Sequence, residues 1–237
     1  VSISDSTIKL AVITPVGRES LTIKDFVLDV QSKLKFGEIH YLVTDDFTDF
    51  ETKMIISEME LSNQFNIMWI DMQVSAGIAS VYLEGYKQAL KGEFTHFMEI
   101  DAGYSHDPAQ IESFREAAVK YEIVLGSRFI SKGALRTTLG RKILSAGGSF
   151  ITKIFLGLPE LDLTSGYQLF SRKALIKILE TEIVSRGPFF QTEMKCYGLK
   201  SNFSYTEIPI TYSNPSRKIT YSDVAESLLV LMRLAFK

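Results

Sequence analysis

Apolar runs of strand length recur along the first half of the chain, at Ile8–Thr14, Ile39–Thr44, Asn66–Ile70, His96–Ile100 and Ile123–Gly126. Between them lie segments whose apolar residues return every three or four positions, which predicts helices over roughly 18–34, 48–64, 77–91 and 108–120. In the third of these, Ile78, Val81, Tyr82, Gly85, Ala89 and Leu90 form a stripe that reads as core. Strand-like runs separated by helices indicate right-handed βαβ crossovers and a mostly parallel sheet covered on both faces. Asp107-Pro108 suits the start of the fourth helix, with Asp as cap and Pro at the first helical position.

After Gly126 the rhythm changes. A polar, basic loop (127–138) leads to a helix near 139–157, whose Leu139, Ile143, Ala146, Phe150 and Ile154 share a face. Gly157-Leu158-Pro159 stops it. A turn segment (162–166), a strand (167–171), helices near 172–183 and 189–199, a strand (203–212) and a last helix (222–236) follow. No repeat or low-complexity linker interrupts the chain. The expectation is therefore one α/β domain over 1–237, with a nucleotide-binding half (1–126) and an acceptor half (127–237).

Charge sharpens this division. The net charge of −2 conceals ten Lys/Arg against nineteen Asp/Glu in residues 1–120, and 16 against nine in 121–237. Overall balance argues against a nucleic-acid-wrapping protein. Arg128, Lys132, Arg136, Arg141, Lys142 and Lys153 gather in an acid-free stretch between Glu122 and Glu160, which suits either a local anion site or a solvated basic face. A single cysteine, Cys196, excludes an internal disulfide and a cysteine metal cage. The longest aliphatic run, Leu228–Met232, is far below the ~20 residues of a membrane span. With no apolar leader in Val1–Leu10, a cytoplasmic location is expected.

Open α/β sheets bind ligands beyond the carboxyl ends of their strands. Those ends read Pro15-Val16-Gly17-Arg18-Glu19, Asp45-Asp46-Phe47-Thr48-Asp49, Asp101 to Asp107, and Ser127-Arg128. Three acidic ends and one basic end suit a nucleoside diphosphate, with carboxylates for base, ribose or metal and cations for phosphate; Asp45, Asp46 and Asp49 equally suit turn and cap chemistry. The glycine-rich signatures of dinucleotide and P-loop sites are missing, as are the nucleophile elbow of hydrolases and the two-histidine zinc helix.

The ordered segments resemble inverting family 2 glycosyltransferases of GT-A fold, in particular the dolichyl-phosphate mannose synthase-like, polyprenyl-phosphate glycosyltransferase branch. Val12-Ile13-Thr14-Pro15 resembles the first strand and nucleotide loop, and Leu42-Val43-Thr44-Asp45-Asp46 the second strand end. Gly77-Ile78-Ala79 with Gly85 and Ala89 is similar to the helix before the D-x-D loop. Ile100 to Pro108 resembles D-A-D-L-S-H-D-P, Val124 to Phe129 resembles V-x-G-S-R-Y, and Asp162-Leu163-Thr164-Ser165-Gly166-Tyr167-Gln168 matches D-x-T-S-G-[FY]-[RQ]. Phe190-Gln191-Thr192-Glu193 and Glu207-Ile208-Pro209-Ile210 resemble acceptor-half elements.

The resemblance implies transfer of a sugar from a nucleotide-sugar donor, such as GDP-mannose or a UDP-hexose, with inversion, to a polyprenyl phosphate at an anionic membrane surface. It implies donor contacts from Pro15, Gly17, Glu19, Asp45, Asp46, Gly77 and Asp101, and acceptor contacts from Arg128, Ser165, Gln168 and Arg217. Asp101 is expected to hold Mg²⁺ or Mn²⁺ and Arg128 to stabilise the leaving diphosphate. If the acceptor is a hydroxyl, Asp162 or Glu193 is the expected base; each also suits a structural place, in a capped turn and on a helix surface. The chain departs from the pattern where Gly103 replaces the second Asp of D-A-D, which leaves metal independence open, and where Asn214 to Lys218 replaces a basic tail motif. A nucleotide-sugar-binding protein without turnover is the alternative. Oligomeric state is left open.

Overall fold

The computed structural model describes residues 8–159, 162–213 and 220–236. Seven strands form one sheet: β1 (Leu10–Val16), β2 (Ile39–Thr44), β3 (Ile67–Asp71), β4 (His96–Glu99), β5 (Ile123–Ser127), β7 (Gln168–Ser171) and β8 (Tyr205–Pro209). Their order is β3-β2-β1-β4-β7-β5-β8. The pairs β1–β2, β1–β4, β2–β3 and β5–β8 are parallel, and β7 alone runs antiparallel to both of its neighbours. The expected α/β sheet, mostly parallel, is thus present, and the reversed β7, from the second half of the chain, lies between β4 and β5 of the first.

Helices α1 (Ile23–Gln31), α2 (Phe50–Leu61), α3 (Ile78–Ala89) and α4 (Ile111–Ala118) connect the first five strands. One core layer packs α1, Ile56 and Met59 of α2, and Ile111 and Phe114 of α4 against one face of the sheet. The other packs α3 together with α6 (Arg172–Leu179) and α7 (Phe190–Lys200) against the opposite face. The α3 stripe is core as its spacing predicts, and Gly85 lies so close to β1 that a Cβ there would come within 2.5 Å of Ile13. Asp49 caps α2, accepting from the Thr52 N–H at 2.9 Å, and Asp107 caps the short 3₁₀ turn Pro108–Gln110.

Two elements differ from expectation. The loop 127–138 contains a short strand, β6 (Ala134–Arg136), which pairs with β9 (Thr211–Ser213) in a separate ribbon. The single strand expected over 203–212 therefore breaks at Ile210, whose N–H donates to Ser127 in the sheet while its carbonyl accepts from Ala134 in the ribbon. Its side chain stays buried, so the apolar pattern runs on while the backbone changes partner.

The helix α5 (Leu139–Leu156) forms as predicted but faces the other way. Its buried residues are Ser145, Ser149, Thr152 and Leu156. Leu139, Ile143, Phe150 and Ile154 are 74%, 63%, 61% and 61% exposed, and Leu144, Ile151 and Phe155 beside them are also exposed. A last helix, α8 (Tyr221–Ala235), packs against α5 and leaves Leu228, Leu229 and Met232 exposed. It starts with a capping box between Thr220 and Asp223. No helix among the described residues is long and apolar enough to cross a membrane.

Candidate active site

A cleft of about 880 Å³ opens over the carboxyl ends of β1, β2 and β4 and continues between α5, the start of α7 and α8. Pro15, Gly17, Glu19, Asp45, Gly77 and Asp101 line one wall; Arg128, Arg141, Thr164, Gly166 and Gln191 line another. Most of the residues expected at the donor thus meet in one place. Asp46 stands just behind, where it accepts from the Ser75 N–H at 3.0 Å while Asp45 accepts from the Ser75 hydroxyl at 2.8 Å. Asp45 combines turn chemistry with a place on the cleft: it also accepts from the Phe47 N–H at 2.9 Å.

Asp101 is held from two sides. The Tyr82 hydroxyl donates to its Oδ1 at 2.7 Å, and the Asp101 backbone N–H donates to His106 Nδ1 at 3.3 Å. Tyr82 in turn stacks on Phe190, with ring centres 5.6 Å apart. His106 is enclosed between Tyr167 and Tyr212, and burial pushes its pKa down to about 4, so it packs as a neutral ring. Tyr82 belongs to the α3 stripe, where spacing signals core alone; nothing in the sequence marks the hydroxyl as a partner of Asp101.

Gly103 has φ +77, a left-handed conformation that favours glycine. A Cβ placed there would meet only Glu19, at 3.6 Å from its Cγ. The position of the missing second aspartate therefore opens onto another carboxylate of the same wall. The Glu19 pKa is raised by burial, opposed by the Gly17 N–H that donates to it at 2.5 Å, and raised further by Asp49 and Asp101. Among the described residues no three metal-ligating side chains gather. A hard divalent ion held by one or two carboxylates plus substrate phosphates still fits this donor set.

The second half departs further from expectation. Arg128 reaches the cleft, yet its guanidinium is bound bidentately to Asp162, at 2.6 and 2.7 Å, and donates to Thr164 at 2.7 Å. Burial alone would raise the Asp162 carboxyl; hydrogen bonds and charge from Arg128, with Lys195 nearby, outweigh it and hold the group below its ordinary value. Lys195 is fully buried, donates to the carbonyls of Asp162 and Ser165, and is lowered to about 8 by burial. Asp162 is thus a fixed counter-ion and not an open base. Glu193 is likewise fully buried, contrary to a solvated helix face, and accepts from the N–H groups of Val184 and Ser185. Ser165 and Gln168 are buried beneath the cleft and do not line it, so the structure does not offer them to an acceptor. Arg217 lies outside the described residues.

Among solved structures, glucosyl-3-phosphoglycerate synthase from Mycobacterium tuberculosis with Mg²⁺ and uridine diphosphate superposes with a TM-score of 0.70 at 13% identity, covering 98% of this chain and 81% of that one. The same enzyme with Mn²⁺, UDP-glucose and phosphoglyceric acid gives 0.67 at 15% identity, covering 98% of this chain and 81% of that one. The fold is that of the GT-A glycosyltransferases. No protein-family model matches the chain. A polyprenol monophosphomannose synthase of Mycolicibacterium smegmatis is 26% identical over 196 residues, covering 81% of this chain and 74% of that protein. An undecaprenyl-phosphate mannosyltransferase of Micrococcus luteus is 31% identical over 137 residues, which are 57% of this chain and 56% of that protein. By sequence the chain is thus similar to two enzymes whose names give one as a polyprenol monophosphomannose synthase and the other as an undecaprenyl-phosphate mannosyltransferase.

Proposed function

We propose that the chain transfers a hexose from a nucleoside-diphosphate donor to a polyprenyl phosphate, with inversion at the anomeric carbon. The observation that carries this reading is the cleft itself: a carboxylate wall at the strand ends faces a wall with Arg128 and Arg141, and α5 presents an apolar face at its edge. Pro15, Gly17, Glu19, Asp45 and Gly77 would hold the nucleotide, with Asp46 buttressing Asp45. Asp101, with Glu19 beside it, would hold Mg²⁺ or Mn²⁺ on the donor diphosphate. When bound, such an ion neutralises the charge that develops on the leaving group.

A phosphate monoester acceptor is already largely anionic near neutrality, its second pKa being about 6, so it needs no strong base to attack. The sequestration of Asp162 and Glu193 favours that acceptor over a hydroxyl, because neither carboxylate can reach and take a proton. The exposed apolar stripe of α5, with Arg136, Lys142 and Lys153 around it, suits peripheral contact with the anionic cytoplasmic face of a membrane, at about 1 kcal/mol per basic residue near the surface. A lipid acceptor would enter there.

The test is a donor panel including GDP-mannose and UDP-glucose, offered with a short polyprenyl phosphate in Mg²⁺, Mn²⁺ or EDTA. Transfer to the lipid phosphate is expected, and Asp101→Ala should abolish it with an unchanged unfolding transition. Full activity in that variant, or transfer only to hydroxyl acceptors, would overturn the reading. Donor binding without turnover on every acceptor would make the chain a binding protein.

A further inference from the structure

Two sequence segments 25 residues apart meet at the inner end of the cleft. The side chain of Gln191, on the first turn of α7, lies flat across the backbone of Gly166. A Cβ at Gly166 would fall 2.3 Å from the amide nitrogen, 2.6 Å from its oxygen and 2.7 Å from its carbon. The glycine of the Asp162 to Gln168 segment is therefore what lets the glutamine of the Phe190 to Glu193 segment reach the cleft. Gly166 has no positive φ, so the need for glycine here is space and not backbone conformation.

Beneath the amide stands Glu99, fully buried at the end of β4 and two residues before Asp101. Its Oε1 accepts from the Tyr86 hydroxyl and its Oε2 from Gln191 Nε2 at 3.3 Å; the same nitrogen approaches the Gly166 carbonyl at 3.5 Å. Both neighbours of Nε2 are acceptors, so the amide is held with its nitrogen downward. Its oxygen accepts from no group among the described residues, and Gln191 lines the cleft.

We propose that Gln191 reads a hydroxyl of the transferred sugar through its amide oxygen, with Glu99 as the residue that fixes the amide's orientation and Gly166 as the space that admits it. A bare acceptor oxygen over a buried carboxylate selects a hydrogen-bond donor. It repels the phosphate oxygens of either substrate, and so the ligand group it suits is a neutral hydroxyl. The place is apt: Gln191 adjoins Phe190, whose ring stacks on the Tyr82 that holds Asp101, and it rests on Gly166, two residues from the Thr164 that Arg128 contacts. The sugar of a donor whose diphosphate lies at Asp101 would sit between these groups. This specificity role rests on the glycosyl-transfer reading above.

The experiment compares wild type, Gln191→Leu and Gly166→Ala with the active sugar nucleotide and with analogues each lacking one hydroxyl. Leaving one such buried acceptor unpaired costs roughly 10- to 100-fold. Wild type should lose about that factor in kcat/KM on one deoxy donor. Gln191→Leu should lose it on the full donor and show no further loss on that deoxy donor. Gly166→Ala, which pushes the amide aside, should behave the same way. Affinity for the nucleoside diphosphate alone should stay near wild type in both variants, a pattern that general misfolding does not give.

Undiminished selectivity against every deoxy donor in Gln191→Leu would overturn the proposal, as would a uniform loss on all donors. If no donor is turned over, the transfer reading fails on its own. The ratio of Kd for sugar nucleotide and nucleoside diphosphate then carries the test: Gln191→Leu must abolish a preference that wild type shows, and the absence of a preference, or its survival in the variant, overturns the assignment.

Discussion

Helices α3 and α5 both carry a one-sided apolar pattern, and they turn it in opposite directions. In α3 the stripe faces the sheet: Val81, Tyr82, Tyr86 and Ala89 are at most 2% exposed, and Gly85 meets β1. In α5 the large apolar residues face outward, while Ser145, Ser149 and Thr152 face in. The reason lies in what each helix covers. Beneath α3 is a sheet face that is apolar except at Glu99, which the Tyr86 hydroxyl satisfies, whereas beneath α5 is Thr164, whose hydroxyl meets Ser149 at 3.2 Å and accepts from Arg128. A helix packed over a fixed ion pair buries small hydroxyl side chains, because they can satisfy polar neighbours that leucine would strand. Periodicity therefore reports that a helix has two unlike faces; what lies beneath decides which one is inside.

Substitutions on the two helices should separate accordingly. The largest effect is expected for Tyr86→Ala in α3, which empties a fully buried site and removes a partner of Glu99, at about 3–5 kcal/mol in urea unfolding. Leu156→Ala, at the one large apolar residue that α5 buries, should cost less, at the low end of ~2–5 kcal/mol. Phe150→Ser with Ile154→Ser should change stability by no more than about 0.5 kcal/mol, since both side chains face outward. The same pair should abolish co-flotation with anionic vesicles. A large loss of stability without loss of vesicle binding would mean that α5 is seated like α3.

The smallest effect concerns the sheet face opposite α3, where His40 is completely buried and bonded to Thr14 at 2.8 Å. Burial pushes its pKa down to about 3. Below about pH 6.5 the unfolded chain gains a proton there that the folded chain refuses, so stability is full above that value and falls as pH drops toward 3. His40→Gln should make the acid-side slope of unfolding free energy shallower by up to one proton. An unchanged slope would show that this histidine takes up its proton within the fold.

Much of the sheet was legible because its strands are buried on both sides and bounded by turn residues; β2 spans the very residues its apolar run marks. The ribbon of β6 and β9 was not, since three-residue strands carry too short a pattern to register. At the site, Asp101 and Glu19 could be read from their places after strands, and Gly77 from the resemblance of its segment to the family's helix before the D-x-D loop. The commitments of Arg128 to Asp162 and of Gln191 to Gly166 could not, because each joins residues 25 or more positions apart through side-chain geometry. Glu193 misled for a related reason: its partners are backbone N–H groups of the preceding loop, which no side-chain pattern announces.

Gly77 precedes α3 with φ +104, and a Cβ there would stand 2.6 Å from the Arg186 carbonyl, which also accepts from the Ala79 N–H at 3.1 Å. The loop before α3 is thereby latched to backbone of the second half of the chain. Spreading the halves like a jaw would break this latch. Under the proposed transfer, an isoprenoid tail that slides laterally past α5 and α8 would leave this contact intact.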